Sequence, residues 1–349
     1  MIKKWLQTFS QDIGIDLGTA NTLVYVKGEG IVVNEPTIVA VNDKTGRLVA
    51  LGTDAKQMIG RTPTHISVIR PLVDGVISNF EVAQEMLTYF LRRVARGGSR
   101  KWFRPRVVIG VPSGITNVEI RAVRDAAQNA GAGQVHIIEE PMAAAIGIRL
   151  PVHDPVGHMI IDIGGGTTDI AVISLNGIVR SKNLKIAGDR LNADIVAYVR
   201  DEFKILLGEK TAEDVKIAIG AVMKQPQPLE ATIRGRDLVS GLPKEVIITD
   251  TDIKEAISAS ITSLIDAIKE VLESTPPEVV SDIMHKGIIL TGGGALLHGL
   301  PTLLEQALKL SIRVTDDPLT AVVRGTGVIL EDLEHFRDLL LSDEDNVSQ

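Results

Sequence analysis

Two stretches far apart in the chain share one pattern: "IGIDLGTANTLVYV" at residues 13–26 and "IIDIGGGTTDIAV" at residues 160–172. Each is an aliphatic run that reaches an aspartate and one apolar residue, breaks at glycine and small polar residues, and then resumes. Overlaid, Asp16 falls on Asp162, Leu17 on Ile163, Gly18 on Gly164 and Thr22 on Thr168. A single copy is satisfied by a β-hairpin whose turn needs glycine at positive φ. Such a hairpin has no reason to recur with its aspartate in place, so the repeat predicts two similar domains that share a task.

The glycines suggest what the task is. Residues without side chains expose successive backbone N–H groups, which can wrap an anion such as a phosphate. A carboxylate delivered by a strand to the mouth of that loop is useful when a cation lies between it and the phosphates. Mg2+ suits this role, because it is held by one or two carboxylates plus phosphate oxygens and keeps several waters. Two copies therefore predict two domains gripping one polyphosphate from opposite sides.

Two further stretches fit the same ligand. "GIILTGGGALLHGLP", residues 287–301, reads as a short strand, then Gly292, Gly293 and Gly294, then a helix. A helix start preceded by exposed N–H groups is an anion site, and a turn that needs glycine only for packing is the alternative. "VHIIEEPMAAAIG", residues 135–147, puts Glu139 and Glu140 at a strand end, before Pro141 at a first helical position. Acids there complement the helix dipole. In a nucleotide cleft, one of them would also orient the water that attacks a γ-phosphate, since phosphoryl transfer needs mainly positioning and charge neutralisation.

Bulk properties narrow the classes. A chain of 349 residues suits two domains. A net charge of −7 leaves no basic surplus for a nucleic-acid backbone, so no nucleic-acid partner is expected. The absence of cysteine removes disulfides, thiol catalysis and Cys-ligated zinc, and agrees with a cytoplasmic protein. No apolar stretch approaches the roughly 18–20 residues that span a bilayer, and no continuous apolar region precedes the first strand, so no cleaved signal peptide is expected. The histidines, such as His136 and His158, lack metal-ligand spacing. Neither a Walker A motif nor GxGxxG after a strand occurs.

Strands are predicted at 13–17, 22–26, 31–33, 37–41, 107–111, 159–163, 170–174 and 288–290, and helices at 81–95, 118–130 and 190–206. The clearest helix, in "TDIKEAISASITSLIDAIKEVLESTPPEV", keeps Ile253, Ile257, Ile261, Leu264, Ile265, Ile268 and Leu272 on one face before Pro276 and Pro277. Hairpins followed by α/β crossovers imply an α/β chain of mixed sheets flanked by helices. The expected organisation is an N-terminal segment 1–11, a first domain of 12–148 plus 318–345 with an insertion at about 34–75, and a second domain of 149–317 with an insertion at about 182–245. That second insertion includes "KQPQPLEATIRGRDLVSGLPKEV", read as a polar, proline-bearing section.

Taken together, "DLGTANT", "IEEPMAAAIG", "DIGGGTTD", "TGGGA" and a late "AVVRGTG" resemble the actin and Hsp70 ATPase superfamily, from about residue 12 to 335 and in the right order. Within it the similarity is to the bacterial actin homologues that determine rod shape. The resemblance implies the actin-like (ribonuclease H-like) fold, with a smaller inserted subdomain on each domain. Its first phosphate loop would be Asp16, Gly18, Thr19, Ala20, Asn21 and Thr22, and its second Asp162, Gly164, Gly165, Gly166, Thr167 and Thr168. Asp16 and Asp162 would hold Mg2+ largely through water, Glu140 would be the catalytic acid, and Thr167 would help place the same water. Gly292, Gly293, Gly294 and Ala295 would lie along the α-phosphate and adenosine of ATP, Gly188 and Asp189 at the ribose, and Glu213 and Lys216 around the base. Ala187 replaces the first glycine of the family's "GGD" ribose pattern. The implied product is a homopolymer of paired, antiparallel protofilaments, formed with slow ATP hydrolysis and touching membrane components of the wall-elongation machinery. A sugar or acetate kinase of the same superfold is the rival, and it would need an acceptor pocket.

Only 3% of residues are aromatic, which makes their positions informative. Ile2, Trp5, Leu6 and Phe9 share one face of a possible N-terminal helix with Lys3 and Lys4 elsewhere, the pattern of a helix lying in a membrane interface. Packing on the protein itself is the alternative. Four large side chains bring ~6–12 kcal/mol gross, against about 1–2 kcal/mol of backbone entropy for each ordered residue. One copy then binds weakly and an array binds firmly. Trp102 and Phe103, among Arg100, Lys101, Arg104 and Arg106, form a second such patch suited to anionic lipid. Both patches predict a peripheral location on the inner face of the cell membrane.

Overall fold

The computed structural model describes residues 12–95 and 104–341. These divide into two units, with boundaries at Pro155/Val156 and Pro318/Leu319. The hairpin tip Ile173–Ile178 groups with the first unit.

The first unit opens with β1 (Ile13–Leu17), β2 (Asn21–Val26) and β3 (Gly30–Pro36). There follow β4 (Val39–Asn42), β5 (Arg47–Leu51), α1 (Thr53–Met58), β6 (Ile66–Ile69), β7 (Leu72–Val73) and β8 (Val76–Ile77). After them come α2 (Phe80–Ala95), β9 (Arg106–Val111), α3 (Asn117–Asn129), β10 (Gln134–Glu139) and α4 (Glu140–Gly147). Its main sheet has the order β10-β9-β1-β2-β3, with β1 antiparallel to β2 and parallel to β9. Alternate residues of these strands, Ile13, Ile15, Leu17, Val107, Ile109 and Val111, enter one core with α2 and α3. The N-terminus of α3 follows from Thr116 and Glu119, which form a capping box. Strands β4, β5 and β6 make a separate small sheet, and α1 packs on β5. Glu35, at the end of β3, accepts from the Thr53 N–H (3.0 Å) and hydroxyl (2.8 Å) and from Arg93 (3.2 Å), tying the start of α1 to α2.

The second unit repeats the plan. It contains β11 (His158–Ile163), β12 (Thr168–Ser174), β13 (Gly177–Leu184), α5 (Gly188–Phe203), β14 (Ile205–Leu206), α6 (Glu209–Ile219), β15 (Glu230–Asp237) and β16 (Pro243–Thr249). It continues with α7 (Asp250–Ser274), α8 (Pro277–Lys286), β17 (Ile288–Thr291), a 3-10 turn at Gly293–Leu296, α9 (Leu300–Leu308) and β18 (Ile312–Val314). Its main sheet has the order β13-β12-β11-β17-β18, which matches the first unit's sheet read from its other edge, β3-β2-β1-β9-β10. The long helix α7 is capped by Thr249 and Asp252, and it buries Ile253, Ile257, Ile261, Leu264 and Ile268. Pro276 and Pro277 then stop it and start α8.

The chain finally returns to the first unit as α10 (Ala321–Glu331). Here α10 and α4 meet backbone to backbone. A Cβ on Gly325 would lie 1.8 Å from the Ala143 carbonyl oxygen, and one on Gly147 would lie 2.0 Å from that of Ala321. Gly147 of "AAAIG" and Gly325 of "RGTG" are therefore the contact surfaces of a helix crossing, while Gly327 makes room for the Tyr25 ring.

The structure differs from the sequence expectation in several places: strands β5, β6, β13 and β18 and helices α1, α6, α8 and α10 were not expected, and two differences have a clear physical reason. The polar section before α7 contains the antiparallel hairpin β15–β16, with Arg236 opposite Pro243. Its exposed and covered positions alternate, but the covered ones include Ala231, Gly235, Asp237 and Lys244, and only Ile233 and Ile248 are fully buried, so the residue types do not show the period. The helix expected over 190–206 ends at Phe203, where Lys204 turns left-handed (φ 56°) and β14 begins.

Candidate functional site

In the first unit, β1 carries Asp16 to its penultimate position, and the loop 18–20 follows. The loop is held from behind by Thr37. The Thr37 N–H donates to the Ala20 carbonyl (2.9 Å), and its hydroxyl donates to the Gly18 carbonyl (2.6 Å). The Thr22 hydroxyl lies 2.9 Å from that of Thr37, and both residues are fully buried. The Thr19 hydroxyl accepts the Gly75 N–H at 3.0 Å. Thr19 and Thr22 are thus supports of the loop, while Asn21 is exposed at the start of β2.

Asp16 lies opposite Gly110 of β9, and Gly110 lies opposite Ile138 of β10. Glu140 follows two residues later, and its Cγ occupies the space a Cβ on Gly110 would approach to 3.4 Å. A strand ladder and one missing side chain thereby bring Asp16 and Glu140 to the same end of the sheet. Burial pushes the Asp16 carboxyl up to about 7. Burial also raises Glu139, against the lowering effect of the Ser113 hydroxyl and the Gly114 N–H. A carboxylate kept in such a site gains from a nearby cation, and its hard oxygens suit Mg2+.

In the second unit, the Gly164 N–H closes the loop onto the Thr167 carbonyl (2.9 Å). The loop is again held from behind, here by the start of α5. Gly188 N–H donates to the Gly164 carbonyl (3.1 Å) and Asp189 N–H to the Gly165 carbonyl (2.7 Å). Thr168, fully buried, donates its hydroxyl to the Ile186 carbonyl (2.7 Å). Asp162 and Thr167 are both largely buried, whereas Gly164 and Gly165 are half-exposed. The Lys216 ammonium donates to the Gly188 carbonyl (2.8 Å), which links two of the expected nucleotide positions, and Glu213 stands one turn earlier on α6. Ala187 is extended (φ −154°), a conformation any residue adopts, so alanine serves there. Asp169, on the far side of the glycine break, is buried and takes the Asn183 amide at 3.1 Å, joining β12 to β13.

The third glycine stretch corrects an expectation. A 3-10 turn, Gly293–Leu296, follows β17 in place of the expected helix start, and α9 begins only at Leu300 after left-handed Gly299. Gly292 has φ 79°, and a Cβ on it would lie 2.4 Å from both Asp162 Oδ1 and the Ile163 carbonyl. A Cβ on Gly294 would lie 2.1 Å from Ile163 Cγ2. These glycines let the turn press against the end of β11 beside Asp162, and Ala295 is buried beneath it.

The sequence reading missed Thr37 and Gly110. Thr37 stands out only as the hydroxyl residue that opens the expected strand 37–41, whose observed start is Val39, and Gly110 as a glycine inside a strand. Ile2, Trp5, Leu6, Phe9, Trp102 and Phe103 lie outside the described residues. Among the described residues no cluster of three or more His, Asp or Glu could hold a metal, and no helix is long and apolar enough to cross a membrane.

Residues 10–338 match the family model described as MreB/Mbl protein. The chain is 47% identical over 334 residues to cell shape-determining protein Mbl of Bacillus subtilis (strain 168), covering 96% of this chain and 100% of that one. It is 48% identical over 350 residues to cell shape-determining protein MreB of Escherichia coli (strain K12), covering 99% and 100%. Among solved structures, it is similar to MreB5 of Spiroplasma citri bound to ADP, with a TM-score of 0.89, 41% identity and coverage of 94% and 98%. The MamK chain of a double helical filament shares the fold at a TM-score of 0.79 and 24% identity, with coverage of 93% and 99%.

Proposed function

The chain belongs to the MreB/Mbl family and has an actin-like fold, and from this premise we propose that it is an ATP-binding, ATP-hydrolysing filament protein that determines cell shape. Cell-shape relatives nearly half identical over their full lengths support the shape role, and MreB5 bound to ADP or AMPPNP supports a nucleotide ligand. The same relatives leave the sugar or acetate kinase reading without support.

One observation carries the reading. Both units contain the same aspartate-tipped hairpin, each with its loop carbonyls engaged from behind. In a planar trans peptide, C=O and N–H point to opposite sides. Tying back a carbonyl therefore turns the next N–H outward, and a row of outward N–H groups receives phosphate. ATP is held by both loops, with Gly188 and Asp189 at the ribose, Glu213 and Lys216 near the base, and Gly292, Gly293, Gly294 and Ala295 along the α-phosphate side. Asp16 and Asp162 would hold Mg2+, which would supply charge neutralisation at the phosphates. Glu140 orients the attacking water, with Thr167 beside it. Hydrolysis weakens a polymer that the triphosphate favours.

The filament consists of paired protofilaments lying on the inner face of the cytoplasmic membrane. It is anchored to anionic lipid by Ile2, Trp5, Leu6 and Phe9 with Trp102 and Phe103, and it organises cell-wall elongation through membrane partners. The test is co-sedimentation of the full chain with anionic liposomes, with and without Mg-ATP, across a protein concentration series. A sharp critical concentration lowered by ATP and lipid is expected, and Glu140→Gln should keep assembly while losing phosphate release. A monomer under every condition would refute the reading.

A further inference from the structure

The two hairpins are braced by different means, and the difference identifies a residue. In the second unit, the two loop carbonyls are held by two consecutive backbone N–H groups, Gly188 and Asp189, at the start of α5. In the first unit no helix starts behind the loop, because the chain after β3 runs on into β4. There, Thr37 alone holds two loop carbonyls, one with its N–H and one with its hydroxyl.

We propose that Thr37 is a positioning residue for phosphate, whose side-chain hydroxyl performs in the first unit what a helix N-terminal N–H performs in the second. This rests on the reading of the loops as phosphate sites. With the Gly18 and Ala20 carbonyls drawn toward Thr37, the Thr19 and Asn21 N–H groups face the opposite side, where phosphate oxygens are received. Thr37 is fully buried, so it acts through the loop and touches no ligand. Its hydroxyl donates to Gly18 O and accepts from Thr22, which leaves that proton no other use. The second strap, the Thr37 N–H, survives any side-chain change, so substitution frees one peptide and not the whole loop.

The test compares wild type, Thr37→Val and Thr37→Ser by equilibrium titration with adenosine, Mg-ADP and Mg-ATP. Valine keeps the shape without the hydroxyl, and serine restores the hydroxyl. The expected result is a loss of roughly tenfold in Mg-ATP affinity for Thr37→Val, the worth of one well-placed hydrogen bond. Adenosine affinity should be unchanged, and Thr37→Ser should recover it for Mg-ATP. Equal losses for adenosine and Mg-ATP, or no rescue by serine, would reduce Thr37 to a packing role and overturn the proposal. Amide exchange on the wild type serves if the valine variant does not fold: Mg-ATP should slow the Thr19 and Asn21 N–H groups, and unchanged exchange there overturns the proposal. Wild type that binds no Mg-ATP at all would instead sink the functional reading beneath it.

Discussion

Replacing Asp16 by asparagine should stabilise the nucleotide-free protein, and only above a definite pH. The Asp16 carboxyl is pushed up to about 7 from its ordinary value of 3.8 because burial penalises its charged form. Between those two pH values the folded chain holds a proton that the unfolded chain has released. Stability therefore falls as pH rises through that window, and the cost levels off above pH 7. A shift of this size corresponds to on the order of 4 kcal/mol, at 1.36 kcal/mol per pKa unit. Asparagine resembles the protonated acid and carries no such cost. Urea unfolding without Mg2+ or nucleotide should find the two proteins equal near pH 4 and Asp16→Asn more stable by about 2–4 kcal/mol at pH 8. The same variant should lose Mg-ATP, since a neutral amide no longer complements the cation, so stability and function trade against each other at one residue. A variant equal to or weaker than wild type at pH 8, or a difference that does not change with pH, would refute the account.

Other substitutions probe the packing that presents the site. Gly110→Ala would push on Val322 Cγ1 (2.9 Å) and on the Cγ of Glu140 (3.4 Å), so ATP turnover should fall at least tenfold in a single-turnover assay while nucleotide affinity holds. Gly325→Ala would place a methyl 1.8 Å from the Ala143 carbonyl, prising apart α4 and α10; a loss of about 3 kcal/mol or more is expected in denaturant unfolding. Thr168→Val removes the donor to the Ile186 carbonyl in a fully buried position, which should cost about 1–3 kcal/mol by the same measurement.

Much of the architecture was legible because it is local. The continuous aliphatic runs at β1, β2, β9, β11, β12 and β17 and the 3.6-residue period of α7 are set by neighbours within a few residues. The repeat of the aspartate-tipped hairpin foretold the repeat of sheet order in the two units. The hairpin β15–β16 was hidden because small and charged residues such as Ala231, Gly235, Asp237 and Lys244 occupy its covered positions, so the apolar alternation on which such a reading depends is missing. The stretch at Gly292–Gly294 misled because glycine before an apolar run describes a helix start and a close-packed turn equally well.

From the sequence alone came the two hairpins, their aspartates, the acid before Pro141 and the order of elements around them. The tertiary structure alone decided which of those residues face outward and which brace the loops. Thr22 and Thr168 fit a ligand list by type, yet each is fully buried, with its hydroxyl engaged just past the third strand of its own unit, by Thr37 and by the Ile186 carbonyl. Glu140 comes to the same end of the sheet as Asp16 because β1, β9 and β10 are parallel and Gly110 leaves room over the ladder. Gly325 and Gly147 become a helix crossing only when residues far apart in the chain meet. Hydrogen-bond partners and steric room at such distances depend on strand register and helix packing, which no local period encodes.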